Sequence, residues 1–330
     1  MAATKLRAVV VGSKWGRNHA LAYHQHPDAE LVAVVGRTPD GLSRRLADEL
    51  QVPLYLDLSR ALEELRPDIL SCAAREADHE AVTLAGLNAG CHVYCEKLLA
   101  DTLAAARRMV EAADRCGRQL MVGYNYRFSP SALHLRRLIT EGRLGTIACA
   151  NAFTFSYCLH HTLDLVCSLL GQVDEVYCVL NTDVGNEPLV MRTEWYDEFI
   201  YSASRSRTCV LKFEGGAVAV LQSSDYQRVG HPAVRVDVVG SKARANMDDI
   251  VGRVFLFTEN RTAEVFLPSL ILDRLDLPST TQAAVSAFVD AVRDGKPVPV
   301  PGKDGLNRLL IEAALLRSAR ENRPVSVRGE

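Results

Sequence analysis

Apolar residues in the first 123 positions fall into two kinds of run. Short, nearly continuous runs occupy 8–12, 31–36, 69–73, 92–95 and 120–123. Between them, 39–50, 77–89 and 102–116 carry apolar residues three and four apart, the period of a helix with one buried face. Asp101-Thr102 supplies a cap for the last of these and Gly117 a stop. Short apolar strands alternating with helices of this length predict a parallel sheet covered on both faces. A doubly wound α/β domain is therefore expected over 1–123.

The pattern changes after Gly123. Segments 131–141 and 160–170 read as helices, and 146–155 as the first strand of a second domain. From 173 to 266 strands follow one another without helices, at 173–180, 208–213, 217–223, 234–239 and 254–257, with Gly215-Gly216 as a hairpin signal. Two helices, 280–293 and 304–321, close the chain around a proline-rich 296–301. The expectation for 124–330 is an α+β domain with a large, mainly antiparallel sheet. One face of such a sheet is free to pack or to take a partner subunit, so a homodimer or homotetramer through residues of 173–266 is expected.

Composition narrows the classes. A chain of 330 residues suggests two domains, and 48% apolar, 24% charged and 6% aromatic residues describe an ordinary globular protein, excluding disordered, collagen-like and coiled-coil chains. A net charge of −2 leaves no basic surplus for a nucleic-acid backbone, so no nucleic-acid partner is expected. The longest uncharged stretch, 144–163, contains Asn151, Ser156, His160 and His161, so no membrane span is expected either. A strand beginning by residue 6 leaves no expected signal peptide. The nine cysteines form no C-x-x-C pair, and Cys91 and Cys95 bracket a strand. They read as small buried hydrophobes in a reducing cytoplasm, with no metal site.

The candidate chemistry begins where the first strand meets its helix, at Gly12-Ser13-Lys14-Trp15-Gly16. A glycine there lets the backbone turn sharply towards a pyrophosphate that the helix N-terminus stabilises. The loop is G-x-x-x-G, not the full G-x-G-x-x-G: with Gly16 as the last glycine, Ser13 takes the second glycine's place. At the end of the second strand, Gly36-Arg37-Thr38 carries no carboxylate. An acid there would receive the ribose hydroxyls of NAD, whereas Arg37 and Thr38 can donate to a 2′-phosphate. The expectation is NADP(H) over NAD(H).

Four further runs resemble the Gfo/Idh/MocA oxidoreductase family. Cys72-Ala73-Ala74-Arg75 with His79 resembles its strand-end A-T-P-x-x-x-H. Ala89-Gly90-Cys91-His92-Val93-Tyr94-Cys95-Glu96-Lys97 resembles its A-G-x-H-V-x-x-E-K-P. Gly123-Tyr124-Asn125-Tyr126-Arg127-Phe128 is similar to the start of its second domain, and His161-Thr162-Leu163-Asp164 to its H-x-x-D helix. The resemblance runs the length of the chain. It implies a Rossmann-like domain, a sheet domain, and hydride transfer between a nicotinamide and a carbinol or carbonyl carbon of a sugar, polyol or related small molecule. By the same resemblance Lys97 takes the place of the catalytic lysine and His161 that of the acid–base histidine, with Asp164 able to orient it and His160 a core residue. Ala73, Ala74, His79, Glu96, Lys97, Asn125 and Arg127 join the glycine turn, Arg37 and Thr38 as cofactor contacts.

This chain departs from the pattern at Leu98 and Arg75, each in place of a proline. It also carries Tyr157 where the family commonly has an Asp four residues before the histidine. Tyr157 either supplies a phenol as proton donor or packs. Two other readings compete with the sugar or polyol oxidoreductase. The five-residue turn 12–16 and Thr162-Leu163-Asp164-Leu165 resemble thiazolinyl imine reductases, which reduce C=N, although Lys97 argues against that branch. The third reading is a non-catalytic NAD(P) sensor.

Overall fold

The computed structural model describes residues 4–155, 158–181, 206–224, 234–259, 263–268 and 277–329. They form two compact units, one of residues 1–125 and 276–307, the other of 126–275 and 308–330.

In the first unit β1 (Leu6–Val11), α1 (Gly16–Gln25), β2 (Ala29–Val35), α2 (Leu42–Glu49), β3 (Leu54–Tyr55), α3 (Leu58–Leu65), β4 (Ile69–Cys72), α4 (Glu76–Asn88), β5 (His92–Cys95), α5 (Leu103–Cys116) and β6 (Leu120–Val122) alternate in chain order. The strands lie side by side as β3-β2-β1-β4-β5-β6, all parallel. Both faces are covered, so the central strands are largely buried: Ala8, Val9 and Val10 of β1 and Ile69 to Cys72 of β4 are all buried, Ser71 being the one polar residue among them. Local signals agree with this packing. The Thr102 hydroxyl oxygen accepts the Ala105 amide at 3.2 Å, and α5 ends at Gly117; such a cap contributes about 1 kcal/mol. Strand order reverses between β1 and β4, and in open α/β sheets ligands bind beyond the strand ends at that point.

The second unit opens with a short 3-10 turn continuing into α6 (Pro130–Thr140). It goes on through β7 (Ile147–Phe155), α7 (Leu159–Leu170), β8 (Val173–Asn181), β9 (Ser206–Phe213), β10 (Val218–Ser224), β11 (Val234–Gly240), β12 (Ala243–Met247), β13 (Val254–Thr258) and β14 (Ala263–Phe266). Its sheet runs β14-β13-β12-β11-β7-β10-β9-β8-β15, the last strand being Val325–Ser326 near the C-terminus. All pairings are antiparallel except β7 with β10. Burial alternates along β9 and β10. One face packs on α6 and α7, while Phe153, Val179, Val218 and Phe257 stay exposed.

One expectation is corrected here. The helix expected at 280–293 belonged to the second domain by its place in the chain. It is observed as α8 (Leu277–Arg293), a part of the first unit. Phe288 is buried there with its ring 5.7 Å from that of Tyr94, and Gln282 donates to Gln25 on α1. Its apolar face is matched by α1 and β5. The last helix, α9 (Gly302–Glu321), starts in the first unit and ends in the second.

Candidate active site

The turn after β1 is shaped by what it must pass. Gly12 has φ +99°, and a β-carbon there would sit 2.2 Å from the Ala73 carbonyl oxygen beyond β4. Only glycine meets both demands. Gly16 is buried, with Ala73 the nearest neighbour of its missing side chain, so Gly12, Gly16, Ala73 and Ala74 come together at the switch point. Between the glycines Ser13 accepts a hydrogen bond from Ser43 at 3.0 Å, Lys14 is exposed and Trp15 precedes α1 half-buried. No acidic residue occupies the first turn of α1, so its N-terminal dipole is available to an anion. A cradle that a β-carbon would fill, facing a helix N-terminus, fits a dinucleotide pyrophosphate.

Beyond β2 the structure adds a residue the sequence reading missed. Arg37 is exposed and pairs with Asp78 on α4 at 2.5 Å, and Arg75 Nε donates to the same carboxylate at 3.2 Å. The Thr38 hydroxyl donates to the Asp40 carbonyl at 2.9 Å. A carboxylate is therefore present near Arg37 after all, supplied from far along the chain, with two guanidinium groups against it.

The end of β5 is held from beneath. Glu96 is buried and lies 2.9 Å from Nε2 of His19, whose Nδ1 lies 2.7 Å from the Ser71 hydroxyl. A carboxylate only accepts, so Nε2 carries the proton and Nδ1 receives the hydroxyl. A β-carbon on Gly123 would come within 2.8 Å of the Glu96 carboxylate, so glycine is needed for β6 to pass. Lys97, half-buried, follows directly, and its backbone amide donates to Glu96 at 3.3 Å. His19 was also missed; the signal was a histidine one turn after the glycine loop. His79 is buried, with Nδ1 2.7 Å from the Leu98 carbonyl and Nε2 3.3 Å from that of Ala74. It ties the two strand-end loops together. Burial pushes the Cys72 thiol up, but a hydrogen bond with Cys95, the neighbouring His79 and the Ala74 backbone outweigh it and bring it down to about 7. Burial drives its partner Cys95 up.

Two expected cofactor contacts have protein partners. The Asn125 side-chain amide donates to Thr280 at 2.8 Å and Thr281 at 3.1 Å, both at the start of α8. In the second unit Arg127 places its fork on Asp164 at 2.6 and 2.5 Å, and Arg308 adds a third bond at 3.1 Å. All three are buried. Asp164 thus gives both its oxygens to two arginines, a role the expectation that it orients His161 did not include. His161 is buried and stacks on Tyr126, ring centroids 4.2 Å apart, while His160 pairs with buried Glu312. His160 is the core residue expected. Tyr157 lies outside the described residues. No helix among the described residues is long and apolar enough to cross a membrane.

Comparison with known proteins agrees with this geometry. Residues 6–124 match the NAD-binding Rossmann fold of an oxidoreductase family, and residues 150–327 match the same family's C-terminal alpha/beta domain. The chain is 26% identical to D-glucoside 3-dehydrogenase of Escherichia coli (strain K12), with 97% of each chain covered. It is also 26% identical to myo-inositol 2-dehydrogenase of Thermotoga maritima, covering 98% of each. Among solved structures, levoglucosan dehydrogenase in complex with NADH and levoglucosan superposes with a TM-score of 0.85 at 18% identity, over 98% of this chain and 100% of that one. That likeness is one of fold.

Proposed function

The chain belongs to the Gfo/Idh/MocA oxidoreductase family, and on that premise we propose that it transfers a hydride between NADP(H) and a secondary alcohol or ketone carbon of a sugar or polyol. It is an enzyme with an NAD-binding Rossmann domain, and the sensor reading falls away. The observation that carries the proposal is the end of β5, where Lys97 follows a glutamate pinned by His19. Relatives matched over nearly their whole length act on a glucoside and on inositol, which supports the substrate class.

A nicotinamide dinucleotide held at Gly12, Gly16, Ala73 and Ala74 would supply the hydride chemistry. The residues of the chain do the rest. Gly12 and Gly16 let the loop approach the pyrophosphate and Ala73 and Ala74 line the next strand end. Lys97 hydrogen-bonds the reacting oxygen and moves its proton. His161, whose imidazole can both take and give a proton, shares that transfer. The preference for NADP(H) is supported by charge: Arg37 and Arg75 against Asp78 leave a net positive strand end for a 2′-phosphate.

A spectrophotometric screen of NADPH and NADH against sugar, polyol, ketone and imine panels tests the reaction; activity on imines alone would overturn the carbonyl assignment. Calorimetric titration tests the cofactor. NADP(H) is expected to bind more tightly, and Arg37→Asp to lose roughly ten- to a hundredfold of that affinity, as for one charge-assisted hydrogen bond. Tighter NAD(H) binding, or an Arg37→Asp protein that keeps its NADP(H) affinity, overturns the preference.

A further inference from the structure

Cys72 ends β4 and Cys95 ends β5, and the two are register partners on adjacent parallel strands. Register partners project to the same face of a sheet, so the two thiols lie side by side. His79 reaches them from the first turn of α4, which packs on both strands. All three are fully buried. Their sulfur atoms and one imidazole nitrogen lie within 4.8 Å of one another. We infer that these three side chains form a binding site for a single thiophilic divalent cation of the zinc(II) class.

The size is right. A tetrahedral zinc with bonds of about 2.3 Å to sulfur and about 2.0 Å to nitrogen needs donors roughly 3.5–3.8 Å apart. Side-chain rotations of about an ångström close the cluster to that spacing. The histidine is already oriented as a ligand. Its Nδ1 has the Leu98 carbonyl at 2.7 Å, the outer contact that fixes the tautomer of a metal-bound imidazole. The neutral ring has one proton to donate, yet Nε2 also faces a carbonyl, that of Ala74 at 3.3 Å. With the proton on Nδ1, a lone pair points at an oxygen, and a cation bound to Nε2 relieves that opposition. The same carbonyl is within reach as a fourth ligand. Binding releases the thiol protons to solvent and changes no oxidation state. A second buried pair, Cys178 and Cys209 with sulfurs 3.6 Å apart, has no third donor close enough among the described residues. It serves as an internal control.

The position gives the site a consequence. Ala73-Ala74 follow one cysteine and Glu96-Lys97 the other, so an ion here clamps both strand ends of the proposed cofactor cradle. That coupling rests on the proposed function; the binding of the ion does not.

The test uses the full chain, reduced and stripped by a chelator, titrated with cobalt(II) as a spectroscopic stand-in and then with zinc(II). One equivalent of cobalt is expected to raise sulfur-to-cobalt charge-transfer absorption and the intense ligand-field bands of a tetrahedral site, both discharged by zinc. C72S and C95S each lose that intensity, while C209S keeps it. Circular dichroism reports folding, and C95A stands in for a serine variant that does not fold. Absence of the charge-transfer band in the reduced protein, or its survival in both cysteine variants, overturns the assignment. So does a reduced protein that takes up no cobalt but in air loses two thiols to a reductant-reversible Cys72–Cys95 crosslink. Because the readout is the ligand field, it stands or falls apart from any dehydrogenase activity.

Discussion

Glu96 cannot turn away from its place: His19 holds one oxygen and the close pass of Gly123 closes off the space beside it. The residue that follows therefore leaves the strand in a defined direction, and that residue is Lys97. If Lys97 and His161 each carry a proton in the transition state, as proposed, Lys97→Ala and His161→Ala are expected to lower single-turnover rates by about 10²–10⁴-fold. Cofactor affinity, set mainly at the glycine turn and beyond β2, should change little. Tyr157→Phe divides its two readings: a lost phenol proton costs as much as His161→Ala, while a packing residue keeps its ring and its rate. A Lys97→Ala enzyme that turns over normally overturns the mechanism. At this scale the sequence was legible where a residue type carries its own geometry, as in Gly12. It was not legible where a partner arrives from elsewhere. Nothing near Arg37 in the chain announces Asp78, and nothing near Asp164 announces that Arg127 and Arg308 both converge on it.

Elements with dense apolar pattern were readable because their burial is decided by their own residues. β4 and β5 are mostly apolar runs, and both lie in the sheet interior. β3 is two residues long, too short for a period to register. β12, Ala-Arg-Ala-Asn-Met, alternates faces but owes its strand identity to β11 and β13 on either side. The periodicity of α8 showed that one face is buried, not which unit buries it. A pH dependence belongs to this scale too. His92 at the start of β5 accepts the Gln119 amide on Nδ1 at 3.1 Å, with the Arg118 guanidinium near Nε2. Burial first, and then Arg118, lower its pKa from the usual 6.5. A histidine lowered in the folded state takes up protons more readily when unfolded. Its contribution to stability is therefore complete above about 6.5 and is lost as pH falls from there through the lowered folded value. Urea midpoints should fall on acidification through this window, and His92→Gln should flatten that slope. An unchanged slope in the variant would assign the pH dependence elsewhere.

Over the whole molecule, charge and sheet exposure bear on assembly. A net charge of −2 offers little long-range repulsion between copies. The exposed face of the second unit's sheet carries Phe153 on β7, Val218 on β10, Val179 on β8 and Phe257 on β13. Arg235, Asp237 and Gln222 lie among them. An apolar centre with a few charged and polar groups is the usual composition of a subunit interface, and an isologous pairing needs only one such self-complementary face. The expected state is a homodimer or a homotetramer built on it. Phe153 is 43% exposed in the single chain, so Phe153→Lys should leave the fold and its unfolding midpoint nearly unchanged while weakening assembly. Light scattering on the wild type should return a multiple of 36.2 kDa, with the variant shifted towards the single-chain mass at micromolar concentration. A wild type that scatters as one chain across that range would remove the sheet face as an interface and leave its apolar residues without a partner.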